Sequence, residues 1–311
     1  MRNILLISLA VLLLSCSKED ERGKELRRLE ELTAAEEWPL LAKTAKANLK
    51  DYIAFNYYHL AQAYRGKLVE ELFNVRQTGP HGLVFIPKEN SANPCLAHVL
   101  FAMGNMAGAQ NIAFNSLFTP EGIDCEMLKI LALVELMRGC DKVADKYLDL
   151  LKEKKDYREW AENARKDPDI ERGRKDFPKE EAFVLDSPMD DLFRILDANP
   201  SDSLAMQYGL SYLLLAKDME STCRFIDRYF GSPALQTLPT PAQEALLFWS
   251  DYLQNVKGDD SVNREYCHAH GVTENTVQRF NKFQQVSIEN NGKAPAAFRN
   301  TFWYYLLYVK I

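Results

Sequence analysis

The chain has 311 residues, about twice an ordinary domain, of which 47% are apolar and 26% charged. Those proportions exclude a disordered chain and a polytopic membrane protein. A formal charge of −6 argues against a nucleic-acid binder, which needs a basic face to displace counterions.

The chain opens with Arg2 and an apolar run from Ile4 to Leu14. Such a run is too short to cross a bilayer, which takes about 20 residues, but it suits a secretory signal over residues 1–15. It ends in Leu13-Leu14-Ser15-Cys16, which resembles a bacterial lipobox, with Leu14 larger than the residue usual there. The resemblance implies a diacylglyceryl group on the Cys16 thiol, cleavage before Cys16 and acylation of the new amine. Stable anchoring needs more than one acyl chain, and this arrangement supplies about three. Ser17-Lys18-Glu19-Asp20-Glu21 resembles the acidic signal that carries some Gram-negative lipoproteins to the outer face of the envelope. Residues 16–35 read as a charged, flexible tether.

Past Thr33 nearly every segment has helical period. Thr33 to Leu49 is one predicted helix. Asp51 to Arg65 and Leu68 to Arg76 form a pair broken near Gly66. Thr78-Gly79-Pro80-His81-Gly82 is a loop, and His81 within it is a candidate ligand contact. Leu83 to Pro87 is the one strand-like run. Pro94 to Asn105 pairs with Ala107 to Phe118, and Glu126 to Arg138 pairs with Asp141 to Lys154 through Gly139. In residues 152–181 twenty of thirty positions are charged. The spacing allows a helix from Tyr157 to Lys166, and residues 167–186 read as a linker between helical regions 36–166 and 187–311. A solvated helix and loop inside one continuous stack is the competing reading. Beyond it, Ser187-Pro188 and Thr240-Pro241 each open a helix by the cap-then-proline rule. Ser203 to Lys217, Glu220 to Phe230, Thr273 to Glu289 and Ala294 to Lys310 complete the set. The fold expected is all-α: stacked antiparallel helical hairpins forming an α-solenoid.

Residues 202–235 resemble a tetratricopeptide unit through Tyr208, Gly209, Tyr212, Ser221, Phe225 and Pro233. Residues 125–158 do so in part, with Leu128, Leu131, Ala132, Ala144 and Leu148. From about residue 50 onward the chain is also similar to a bacterial family of unknown function, number 6057. The similarity lies in Asn56 to Tyr64, Gln77-Thr78-Gly79-Pro80 with Gly82-Leu83, Tyr157-Arg158-Glu159-Trp160, Asp197-Ala198-Asn199-Pro200 and Leu213 to Asp218. That resemblance implies an envelope location and no known activity. Its members often place membrane helices ahead of the soluble part.

Cys95, Cys125, Cys140, Cys223 and Cys267 remain once Cys16 is lipidated. Their number is odd and no C-x-x-C occurs, so they read as small buried apolar residues. No P-loop, dinucleotide fingerprint, nucleophile elbow or zinc-protease motif is present. Cys267, His268 and His270 are the one cluster of metal-ligand type, with an exposed turn before Gly271 as the default reading. Asp186, Asp190 and Asp191 read as helix-start acids rather than a catalytic pair. Phe55, Tyr57 and Tyr58, like Trp303, Tyr304, Tyr305 and Tyr308, have the spacing of a buried helix face more than of a sugar-stacking platform. The function expected is a non-catalytic, lipid-anchored outer-membrane scaffold that binds another envelope protein and uses no cofactor. The alternatives are a surface glycan- or nutrient-binding lipoprotein beside a transporter, and an envelope hydrolase or metal enzyme using Cys267, His268 and His270.

Overall fold

The computed structural model describes residues 21–120, 122–175, 188–289 and 293–311. The signal segment, Cys16, positions 176–186 of the expected linker, Asp186 among them, and position 187 lie outside them. Within them the chain is all-α, a succession of helical hairpins around a shared apolar core.

The first helix, α1 (residues 21–34), occupies most of the stretch expected as a flexible tether. Leu26, Leu29 and Leu32 recur every third residue and are buried. This apolar stripe, running between charged faces, docks the segment on the body. The helix predicted from Thr33 to Leu49 is broken because Glu36 turns left-handed and Pro39 can only sit in a first turn. The chain restarts as α2 (Trp38–Ala45). Helix α3 (Tyr52–Tyr64) is capped by Asp51 and buried over nearly its whole length. Trp38 stacks flat on Tyr64 at 3.9 Å.

After α3 the predicted helix from Leu68 to Arg76 shrinks to a single 3₁₀ turn at Leu72–Asn74. The predicted strand from Leu83 to Pro87 does not form. Leu83 and Phe85 are buried while Ile86 is exposed, so the alternation seen in the sequence is met by packing on helices, with no partner strand. The extended ladder that does occur is a minimal antiparallel ribbon, β1 (Phe118–Thr119) with β2 (Gly122–Ile123). It follows the hairpin α4 (Asn93–Ala102) and α5 (Met106–Asn115).

Helices α6 (Cys125–Arg138) and α7 (Asp141–Lys152) form the next hairpin, turned by left-handed Gly139. Helix α8 (Arg158–Asn163) packs on α7, and α9 (Pro168–Lys175) on α6. The linker expected over 167–186 therefore opens with a docked helix. Its Ile170 is buried, and Arg174 pairs with Asp141 at 2.9 Å.

Helices α10 (Pro188–Ala198), α11 (Ser203–Ala216) and α12 (Met219–Tyr229) follow. A Cβ at Gly209 would stand 2.8 Å from the Phe225 ring, so glycine sets the approach of α11 and α12. Helix α11 also packs on α3. There the Gln207 side chain accepts from the Leu68 N–H and donates to the Ala63 carbonyl, both at 3.1 Å. The chain ends with α13 (Thr240–Tyr252), a π-helical turn (Leu253–Lys257), α14 (Arg264–Ala269), α15 (Glu274–Glu289) and α16 (Phe302–Tyr308). Helix α16 is shorter than the predicted Ala294 to Lys310, because Thr301 caps it and a 3₁₀ turn precedes it. Lys217 donates to the Leu306 and Val309 carbonyls at 3.0 and 2.6 Å, a cation at the negative end of α16.

Candidate functional site

Helices α13, α14 and α15 enclose a cleft of about 640 Å³. Its floor is apolar, from Leu247, Val272, Val277 and Phe280. Its walls carry Ser250, Asp251, Gln254, Asn255, Arg264, His268, Glu274, Asn281 and Gln284. A concave site with an apolar base and a few polar groups is the usual form of a binding pocket. The π-helical turn at one wall ends at left-handed Gly258, and π segments are often found at functional sites.

One buried amide holds the cleft in shape. The Gln243 Oε1 accepts from the Thr273 N–H at 3.0 Å, the Thr273 hydroxyl at 3.2 Å and the Thr276 hydroxyl at 2.8 Å. Its Nε2 donates to the Leu238 carbonyl at 2.8 Å. This fixes where α15 begins relative to α13. Helix α14 is set by Asn263, whose side chain accepts from the Tyr266 N–H, and by the Cys267 thiol on the Leu246 carbonyl at 3.8 Å. Beneath them Glu244 is 1% exposed. It accepts from the Phe302 N–H at 2.6 Å and pairs with Arg279 at 3.3 Å. Burial drives its pKa up to about 7, against the opposing pull of that N–H and of Arg279.

The cleft takes in two of the three residues considered for a metal site, but not as ligands. Cys267 is buried and His268 exposed. His270 donates from Nδ1 to the Tyr266 carbonyl and faces Asp227 at 3.4 Å. Among the described residues no group of three or more His, Cys, Asp and Glu is placed to hold a metal. All five described cysteines are free. Asp190 is exposed, whereas Asp191 is buried and engaged by Arg194 and Asn105. Phe55, Tyr57, Tyr58, Trp303 and Tyr305 are core residues, while Tyr304 and Tyr308 pack on each other at 5.5 Å.

His81 is exposed on the one-turn 3₁₀ helix Pro80–Gly82. The residue that shapes its loop is His59, which sequence reasoning missed. Its Nδ1 lies 2.7 Å from the Gly82 carbonyl, and its Nε2 lies 3.2 Å from the Gln77 amide nitrogen. A carbonyl only accepts, so Nδ1 carries the proton and Nε2 accepts. Burial lowers the His59 pKa to about 4 and keeps the ring neutral. A Cβ on Gly82 would meet the Phe55 ring at 2.7 Å, which explains the glycine. The available signal was a histidine inside a mostly apolar stretch from Tyr52 to Tyr64, which also holds Asn56 and Gln62.

A second concentration of polar groups joins α1, α4, α6 and α8. Lys129 reaches Glu36 at 3.5 Å and Glu126 at 3.9 Å, and the Tyr157 hydroxyl donates to Glu126 at 3.2 Å. His98 lies 3.7 Å from Glu126. Burial first, then the Lys129 charge, lowers the His98 pKa to about 4, so this contact is no ion pair at neutral pH. Burial and Asp124 raise Glu30 to about 7, and burial raises Asp124 and Glu126 as well.

Fold and cleft define an all-α protein of stacked helical hairpins with a polar groove near its C-terminal end. The chain belongs to a family of unknown function, DUF6057, which it matches over residues 2–309. The match starts well ahead of residue 50, so it takes in the apolar run from Ile4 to Leu14 as well as the helical body. No curated protein and no solved structure matches the chain. Among the described residues no helix is long and apolar enough to cross a membrane.

Proposed function

We propose that the chain is a non-catalytic helical-repeat scaffold of the cell envelope, tethered to the outer membrane through lipid on Cys16, and that it holds a segment of a partner protein in the cleft between α13, α14 and α15. The observation that carries this reading is the lining of the cleft. Amides at Gln254, Asn255, Asn281 and Gln284 offer donors and acceptors together, and Arg264 faces a lining that also carries the acids Asp251 and Glu274, above an apolar floor. A polypeptide in extended form presents that alternation of N–H, C=O and apolar side chain. The Gln243 hub holds the walls before anything binds, which lowers the ordering cost of association.

A photo-crosslinking residue at Asn281, compared with one at exposed Lys46 on the far hairpins, tests the reading in intact envelopes. The expected result is one dominant protein adduct from position 281, lost when Phe280 is replaced by Ala and absent from position 46. A folded, lipidated chain that gives the same adducts from both positions rejects the cleft as a protein site. The amide-rich lining also favours the glycan reading. Calorimetric titration with oligosaccharides separates the two, since saturable heat that disappears in Asn281→Ala would move the assignment to glycan.

A further inference from the structure

Four of the large apolar side chains left in solvent, Ile86, Phe114, Phe118 and Ile123, belong to segments at one end of the N-terminal hairpins. Phe118 and Ile123 are cross-strand partners in the small ribbon, and Phe114 lies one helical turn before Phe118. Phe118 is 75% exposed, Phe114 59% and Ile123 36%; Ile86, in the loop before α4, is 76% exposed. A ribbon of two residues per strand is marginal by itself, and this one turns its single apolar pair outward.

The contacts around them place the segments that carry these residues at the same end. The Cys95 thiol donates to the Ile53 carbonyl at 3.9 Å and the Tyr52 hydroxyl to Glu89 at 3.3 Å. The first turns of α3 and α4 are therefore level. Helix α5 returns antiparallel to α4, which brings Phe114 and the ribbon back to that end. The His98–Glu126 contact sets the first turn of α6 against the middle of α4, with the ribbon just before α6 in the chain. Ile86 precedes Glu89 by three residues.

The same end holds the start of α1. The Arg22 Nε donates to Asp51 at 2.5 Å, and its two terminal nitrogens donate to the two Glu89 oxygens at 2.9 and 2.6 Å. Cys16 lies six residues before Arg22, so the chain between them spans at most about 20 Å when fully extended. A lipid on Cys16 therefore holds this end within about 20 Å of the membrane.

We infer that this end is a membrane-docking surface, with Phe118, Phe114 and Ile123 entering the headgroup–acyl boundary of the bilayer that carries the Cys16 lipid, and Ile86 beside them. The inference rests on the lipidation of Cys16. Acyl chains on a tether fix attachment and leave orientation free; an apolar ribbon that dips about 5–10 Å into the interface fixes both. Arg22 offsets one of the two negative charges of Asp51 and Glu89, and exposed Lys88, two residues after Ile86, supplies a second cation beside them.

The test uses the full lipidated chain in phosphatidylcholine vesicles whose acyl chains are brominated near the headgroup. Two variants, Phe118→Trp and Val256→Trp, are compared with the parent. Val256 is an exposed residue of the π-helical turn. The expected result is a blue-shifted added emission from Phe118→Trp that loses roughly half its intensity in brominated vesicles, with none lost from Val256→Trp. Equal quenching of the two variants, in a chain that floats with the vesicles and whose N-terminal peptide is acylated by mass spectrometry, overturns the docking surface and leaves the anchor standing. An unacylated Cys16 peptide overturns the anchor, and the docking surface with it.

Discussion

Glu30 in the N-terminal hairpins and Glu244 in the C-terminal helices titrate at the same place, each raised to about 7 and each by burial first. Their surroundings are opposite. Glu244 receives the Phe302 N–H and the Arg279 guanidinium, so its buried charge has donors aimed at it. Glu30 has Asp124 as its next largest influence, a like charge that raises it further, and Arg27 opposes only in part. The C-terminal region therefore uses a buried carboxylate to assemble helices, whereas the N-terminal region tolerates one. A shared pKa does not imply a shared role; the donors decide.

The largest effect expected from that difference is at Glu244. Replacing it with Leu leaves the Phe302 N–H unmet in the core and removes the carboxylate beside Arg279, which keeps the Asn300 side chain. Leaving a buried backbone N–H without its charged acceptor costs about 2–3 kcal/mol, seen as a lower urea midpoint. Glu244→Gln keeps an acceptor for the Phe302 N–H and recovers about half of that loss. If Leu and Gln cost the same, the hydrogen bond to α16 contributes nothing and the contrast with Glu30 weakens.

Glu30→Gln should act in the other direction. A folded pKa of about 7 against an unfolded value near 4.5 means that the native state keeps the proton longer as pH rises. The stabilisation linked to it is fully present below about pH 4.5 and lost as pH rises through 7. The neutral amide escapes that loss. At pH 8.5 the variant should be more stable than the parent by about 1–2 kcal/mol, a figure reduced from the full shift because the residue keeps some solvent contact. At pH 5 the gain should disappear. Urea denaturation at the two pH values measures both, and a gain of equal size at each would mean that the benefit is packing and not charge.

How much of this was legible in the sequence follows from the range of the interactions. Hairpins turned by local signals were readable: Gly139 between α6 and α7, and Pro241 at the start of α13. Helix α1 was hidden because Leu26, Leu29 and Leu32 sit among charges dense enough to suggest a tether. The alternation from Leu83 to Ile86 was real, but it recorded burial against helices and not a ladder. Cys267 and His268 do line the cleft, but the helix turns Cys267 inward and leaves His268 exposed, a separation that neighbouring residues on one helix impose. Gln243, Glu244 and His59 carried no motif. Their meaning lies in partners such as Thr276, Phe302 and Gly82, which are 33, 58 and 23 residues away, and one sequence does not display such pairings.

Arg22 offers the smallest and sharpest test of the contrast, because it is the exposed counterpart of the buried carboxylates. Its side chain is 38% exposed, and it bridges Asp51, which is 10% exposed, and Glu89, which is 35% exposed. Solvent screens such a network, so Arg22→Ala should cost only about 0.5–1 kcal/mol in low salt despite three short contacts. At 1 M salt, where the screening length falls to about 3 Å, most of that cost should vanish. The Glu244→Leu loss should persist, because most of it is the buried Phe302 N–H left unmet, which salt does not screen. Hydrogen exchange over residues 21–30 localises the effect: protection should fall in the first turns of α1 and stay unchanged in α16. A salt-independent loss spread through the whole chain would place Arg22 with the buried groups, and the distinction between a charge that assembles the core and one that fastens its edge would fail.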